Sequence, residues 1–407
     1  MTVPTKKKLL LSAITQFTGN GTNFLVLVLS SIILSKPEFA EYGIIGFLLS
    51  IALSVVNSVF ITQLTVEIIK EEDEKKEEIA SAIFSLLILF LPVVIVTIKL
   101  LSDLLNLSVA RGFDVGVYVA LAGVRLFLTR LSFSTSRESI SARSNLIYCV
   151  ITFAYLFYLE NSESKIGVSS IINAMTIAAG TSSIYAAYKF GYLRPKIDID
   201  TLKKTAKKIT DKGKWSLATV LILTISSQSY VVIVPNLTDV TTLAGFTLAR
   251  QFVSTFGLIY PVISELGFPH VARILARNNK SALTTAFKYS ILAAILASIY
   301  FFILDIFFEK IFNILDYKKY DYDAVRLNFR MLFVITILQI FRDGPSFALQ
   351  GLWKFKQLFF ANLAAACLGL SLSLCLGYNY EISGVLYGII VSELVLLGSM
   401  VYMLRTN

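Results

Sequence analysis

The chain has 407 residues, 56% of them hydrophobic, and a formal net charge of +10 at pH 7. A soluble domain is about 45–50% apolar; here the excess is gathered into runs near the roughly 20 residues a helix needs to cross a bilayer. That leaves no room for a large soluble catalytic domain. The basic residues fall in short segments between the apolar runs, which argues against nucleic acid as a partner.

Twelve transmembrane helices are predicted in chain order: 9–34, 42–66, 80–104, 115–133, 145–160, 167–189, 215–235, 242–266, 286–308, 325–341, 357–377 and 383–404. The first follows MTVPTKKK and imitates a signal peptide, but it is longer than the usual apolar core of roughly 7–15 residues. It reads as a helix that stays in place. An even count puts both termini on one side. The segments 67–79, 130–144, 189–214 and 267–288 hold most of the Lys and Arg, and the positive-inside rule makes that side cytoplasmic.

The basic stretch YLRPKIDIDTLKKTAKKITDKGKW divides the spans six and six. This predicts an all-α polytopic protein: a six-helix bundle over 1–190, a basic cytoplasmic linker over 191–214, and a second bundle over 215–407. A shift of about 202 lays Tyr42-Gly43 on Ala244-Gly245, and a shift of 212 lays Arg130 on Arg342. Both halves begin and end in the cytoplasm, as in parallel repeats, where substrate sites lie between halves near the midplane. The expected shape is a V around a central cavity.

Span 1 carries Gln16, Thr18, Asn20, Thr22 and Asn23 at its middle, and span 7 carries Thr224, Ser226, Ser227, Gln228 and Ser229. Such groups are costly against lipid, so they are expected to face the interior, as substrate contacts or as links between helices. Cys149, Cys367 and Cys375 sit inside apolar runs without paired spacing, as small buried hydrophobes do.

Charged residues within spans are rare and mark cavities or partners. Arg125 and Arg250 lie about 15 and 12 Å inside their spans at 1.5 Å per residue. They belong to opposite halves and are expected to line one cavity. A guanidinium stays charged and can bind phosphate bidentately; pairing with a carboxylate to lock helices is the competing role. Arg330 is a further candidate, while Arg326, one turn away, reads as snorkelling. Glu393 is the most central acid. It suits proton uptake, Na⁺ coordination through carboxylate oxygen, or a permanent ion pair. Glu265, the second candidate for ion coupling, stands near the cytoplasmic mouth, where a gate salt bridge to the basic loop or a substrate contact is the other role. It lies about 22 Å along the helix from Arg250, too far for the two to neutralise each other. Pro261 between them removes a backbone donor.

The stretch TGNGTNFLVLVLSSIILSKPEFAEYGIIGFLLSIALSVV, with Pro37, Glu38, Phe39, Tyr42 and Gly43, resembles the opening of polysaccharide flippases. Phe268-Pro269 followed by Arg273 is similar to the end of their eighth helix. The family is the O-antigen (Wzx-type) branch of the multidrug/oligosaccharidyl-lipid/polysaccharide exporter superfamily. The resemblance implies a flippase for undecaprenyl-pyrophosphate-linked oligosaccharide, moved from the cytoplasmic to the periplasmic leaflet of the bacterial inner membrane by alternating access. It also implies a coupling cation, H⁺ or Na⁺, no cofactor, and polysaccharide polymerase machinery as a candidate partner beside membrane lipids. A multidrug or metabolite exporter of the same superfamily is the alternative. The sole histidine, His270, stands at a helix end, and no nucleotide loop or metal-ligand spacing points to an enzyme.

Overall fold

The computed structural model describes residues 6–61, 64, 73–105, 109–135, 137–162, 166–191, 193, 199–228, 230–237, 240–258, 279–352 and 354–405. These residues form twelve α-helices: α1 Lys6–Ile33, α2 Lys36–Val56, α3 Asp73–Leu104, α4 Val109–Ser134, α5 Glu138–Asn161, α6 Val168–Phe190, α7 Ile199–Ser227, α8 Tyr230–Leu237, α9 Val240–Ser254, α10 Asn279–Ile314, α11 Tyr322–Gly351 and α12 Phe355–Arg405. A π turn, Asn57–Ile61, continues α2, and a 3₁₀ turn, Thr255–Leu258, continues α9. The protein is all-helical and has two halves.

Seven of the described helices are long and apolar enough to cross a membrane. The last of them, α12, holds both of the final expected spans, because its backbone leaves helical geometry at Tyr380 and Glu381, the latter at φ 50°. Expected span 7 is divided between α7, which ends at Ser227, and α8, which begins at Tyr230. The helix α7 also runs back through residues 199–214, the basic stretch between the two halves. Expected span 10 extends well past residue 341, with Pro345 inside α11.

The outer faces confirm what surrounds these helices. On α10, Ile291, Ile295, Ile299, Phe302 and Ile306 recur at helical spacing and are 46–66% exposed. A soluble protein rarely leaves so continuous an apolar stripe in water. Lipid accounts for it, and this is a multi-pass membrane protein.

Two compact units divide the chain, Met1–Leu34 with Ile44–Leu221 and Ser35–Gly43 with Ile222–Asn407. In the first unit α1 packs on α5, α5 on α6, and α4 on α3 and α6. Phe84, Leu87, Phe127 and Leu131 fill its core with Phe60 and Leu64. In the second unit α11 packs against α9, α10 and α12, and α8 packs against α9 and α12. Aromatic rings dominate there: Phe252, Phe301 and Phe308 surround Phe329, with centroids 5.2–6.3 Å apart. Edge-to-face and tilted pairs at such spacing are the favoured arrangements of aromatic rings. In the connection between α10 and α11, burial pushes the Lys319 ammonium below its ordinary pKa, while the Glu38 carboxylate acts to raise it and Lys36 to lower it.

Candidate functional site

The first unit gathers its interior polar groups around Arg125 on α4. The guanidinium carbon stands 3.9 Å from the centroid of the Tyr148 ring. Its Nη1 donates to Asn145 Oδ1 at 3.0 Å. Asn145 in turn donates from Nδ2 to the Thr15 carbonyl at 3.0 Å, and the Tyr148 hydroxyl donates to Asn23 Oδ1 at 2.7 Å. Both α5 residues are buried, and both reach α1. The cluster therefore ties α1, α4 and α5 together with neutral partners, and among the described residues no carboxylate is paired with Arg125. A cation over an aromatic face in a desolvated place is stabilised by roughly 2 kcal/mol.

The second unit contains a cavity of about 400 Å³. Ser227 and Gln228 line it from the end of α7, Tyr230 from α8, Arg250, Val253 and Ser254 from α9, and Thr336, Gln339, Arg342 and Asp343 from α11. The break between α7 and α8 makes this possible. Interrupted helices at membrane depth are tolerated where they line a cavity, because the freed backbone groups find polar partners there. The Arg250 guanidinium carbon lies 5.7 Å from the centroid of Tyr230. Among the described residues no carboxylate stands within ion-pair distance of Arg250. Gln228 Oε1 is buried and has no hydrogen-bond partner among them.

Behind the cavity wall lies a buried ion pair. Arg342 Nη1 donates to both oxygens of Glu393, at 2.9 Å to Oε1 and 2.7 Å to Oε2. Gln339 Nε2 donates to the same Oε1 at 2.9 Å. Asp343 Oδ1 stands 3.5 Å from Arg342 Nη2. The side chains of Arg342 and Glu393 are only 10% and 6% exposed.

Of the residues singled out from the sequence, Gln228 and Arg250 meet in one cavity, and Glu393 joins it through Arg342 and Gln339. Asn23 and Arg125 meet through Tyr148 in the other unit. Asn20 is half-buried and bonds Gln16 Oε1 at 2.9 Å along the same helix. Arg330 is exposed and paired with Asp305 at 2.8 Å, and Arg326 shares that carboxylate at 3.2 Å. Glu265 and Pro261 lie outside the described residues, as does His270.

The residues that sequence reasoning missed are Arg342, Gln339, Tyr148 and Tyr230. Arg342 stands in IFRDGPS, whose polarity and proline read as a connection beyond the span. The available signal was the arginine's place in the repeat, opposite Arg130. The two tyrosines had none, because an interfacial tyrosine and a stacking platform look alike in a sequence.

No protein-family profile matches the sequence, and no curated protein is detectably similar to it. Solved structures do match in fold. A multidrug resistance MATE family transporter of the MOP superfamily, in an inward-facing conformation, superposes with a TM-score of 0.73 at 15% identity, covering 96% of this chain and 94% of its own. A eukaryotic MATE transporter reaches 0.68 at 16% identity over 98% and 95% of the two chains. A MATE in the straight conformation reaches 0.69 at 13% over 98% and 94%. At such identities the likeness establishes a fold, that of MATE transporters, over essentially the whole length.

Proposed function

We propose that this chain is a membrane flippase whose cargo carries a phosphate-rich anionic head, with undecaprenyl-pyrophosphate-linked oligosaccharide as the cargo the sequence resemblance implies. The carrying observation is Arg250: it lines the cavity, has an aromatic face beside it, and has no carboxylate partner among the described residues. A guanidinium in that setting keeps its charge and has donors to offer planar or tetrahedral oxyanions. Gln228, with an unpartnered carbonyl oxygen in the same cavity, would accept from a sugar hydroxyl or a protonated phosphate. Transport runs by alternating access in the bacterial inner membrane with both termini cytoplasmic, and Glu393 couples it to a cation.

An exporter of multidrug or metabolite type is the second reading. The fold likeness favours it, as does Asp343, whose carboxylate lines the same cavity and would suit a cationic cargo.

The decisive experiment is reconstitution into liposomes with labelled polyprenyl-pyrophosphate oligosaccharide, scoring movement between leaflets, with a fluorescent organic cation run in parallel. Arg250→Ala should lower lipid flipping at least tenfold, the equivalent of about 1.4 kcal/mol, without removing the protein from the membrane. Arg250→Lys keeps the charge but loses the planar fork, and partial activity is expected. If Arg250→Ala flips lipid normally, or if only the organic cation is transported, the anionic cargo is ruled out.

A further inference from the structure

A cation that lines a cavity but is already satisfied by a buried carboxylate presents a problem for an anion site: half of the available positive charge is spoken for. Arg342 faces the same cavity as Arg250, and Glu393 stands behind it. We propose that Glu393 is a built-in competitor for the cargo anion: it occupies Arg342 while the cavity is empty, and the phosphate oxygens of the cargo replace it on binding. This rests on the anionic cargo proposed above.

The geometry supports an exchange rather than a permanent lock. Glu393 takes both oxygens to a single nitrogen, Nη1, and Asp343 pairs with Nη2 at the longer distance of 3.5 Å, so neither carboxylate makes the two-nitrogen fork. Arg342 is also on the cavity surface. Phosphate and carboxylate are the two oxyanions that guanidinium groups recognise with the same fork geometry. An arriving phosphate can therefore take the same guanidinium from its cavity side as the carboxylate behind it lets go.

The displaced carboxylate is the costly party, since an ionised group stripped of its partner in a buried place is strongly disfavoured. A proton from the aqueous phase resolves this: it adds to one carboxylate oxygen and makes a neutral acid. Gln339 already donates to Oε1, and can keep that bond to the carbonyl oxygen of the acid while its own amide oxygen accepts from the new hydroxyl. The groups that touch Glu393 are Arg342 and Gln339 from α11, and the titratable groups lining the cavity beside Arg342 are Asp343, Tyr230 from α8 and Arg250 from α9. Among the described residues, Arg342 is the one cation at ion-pair distance from Glu393. Binding one anion thus takes up one proton, and releasing the anion returns it.

The test uses the full-length protein in nanodiscs, sodium-free buffer and inorganic pyrophosphate as probe. Titration calorimetry in two buffers of different ionisation enthalpy reads affinity and proton uptake, corrected for the probe's own protonation. Wild type should take up close to one proton per pyrophosphate bound. If the carboxylate occupies Arg342 in about nine-tenths of empty molecules, Glu393→Gln should bind about tenfold more tightly, with no uptake. A purely structural ion pair predicts the opposite: weaker or unchanged binding. Should Glu393→Gln fail to reach the membrane, Glu393→Asp, shorter by one methylene, should also bind more tightly than wild type. Equal or weaker binding in the folded variant, or uptake unchanged from wild type in Glu393→Gln, overturns the exchange while leaving the anionic cargo in place. If pyrophosphate binding is absent, or does not depend on Arg250, the cargo reading itself falls.

Discussion

Arg125 and Arg250 show how one residue type takes two positions with different consequences. Arg250 lines open volume, whereas Arg125 is held between Tyr148 and Asn145 and is linked through them to two points on α1. Interhelical hydrogen bonds inside membranes contribute modestly, about 0.6 kcal/mol on average and up to about 1.7. Tyr148→Phe keeps the ring under the guanidinium and loses the hydroxyl's bonds to Asn23 and Tyr118, so a loss of about 0.6–1 kcal/mol is expected. Asn145→Ala removes an acceptor from the arginine and a donor from Thr15 together, and about 1–2 kcal/mol is expected. Thermal unfolding in detergent should rank wild type above Tyr148→Phe, and Tyr148→Phe above Asn145→Ala. An inverted ranking would show that the Asn145 bonds contribute less to holding α1 than the Tyr148 hydroxyl does.

At the scale of elements, the hairpin within α12 depends on missing side chains. A Cβ at Gly384 would collide with the Leu376 carbonyl, and one at Gly388 would collide with Ser373. Ser373 donates to the Val385 carbonyl at 3.0 Å, and Ser392 donates to that of Ala365 at 2.8 Å. Small residues that let helix backbones touch are what holds helices together in lipid, where burial of apolar surface supplies no drive. Glu393 stands beside Ser392, so its aim at Arg342 depends on this close contact. Gly388→Ala should lower the unfolding temperature, at a cost of about 1–3 kcal/mol from overpacking, and should weaken coupling. Gly398→Ala meets nothing within 4 Å and should be neutral or stabilising by up to about 1 kcal/mol, since alanine favours the helix. Both follow from one thermal-shift series.

For the whole molecule, the charge distribution predicts orientation. Cysteines introduced singly at 200 and at 318, in a background with Cys149, Cys367 and Cys375 replaced by serine, should differ in labelling by an impermeant maleimide applied from outside. Position 318 should react in intact cells, and position 200 only after permeabilisation. Labelling of 200 from outside would reverse the whole assignment and place the basic helix α7 start on the wrong side for anionic cytoplasmic lipid.

Length and hydropathy determined by themselves that the chain crosses a membrane many times, because roughly 20 apolar residues in a row have no other stable place. They also located most of the helices, although α2, α3, α4, α5 and α10 begin six or seven residues before the expected spans, and identified Arg125, Arg250, Gln228 and Glu393 as groups too costly to leave in lipid. What the tertiary structure alone decided is which partner each of these groups has. The distance along a helix says how deep Glu393 lies, but Arg342 reaches it from 51 positions away in the chain, and a contact of that kind leaves no trace in periodicity. The same holds for Tyr148 beneath Arg125 and for the break after Gln228. Partnership in a membrane protein is decided by which polar faces can only be satisfied by one another, and that is settled when the helices pack.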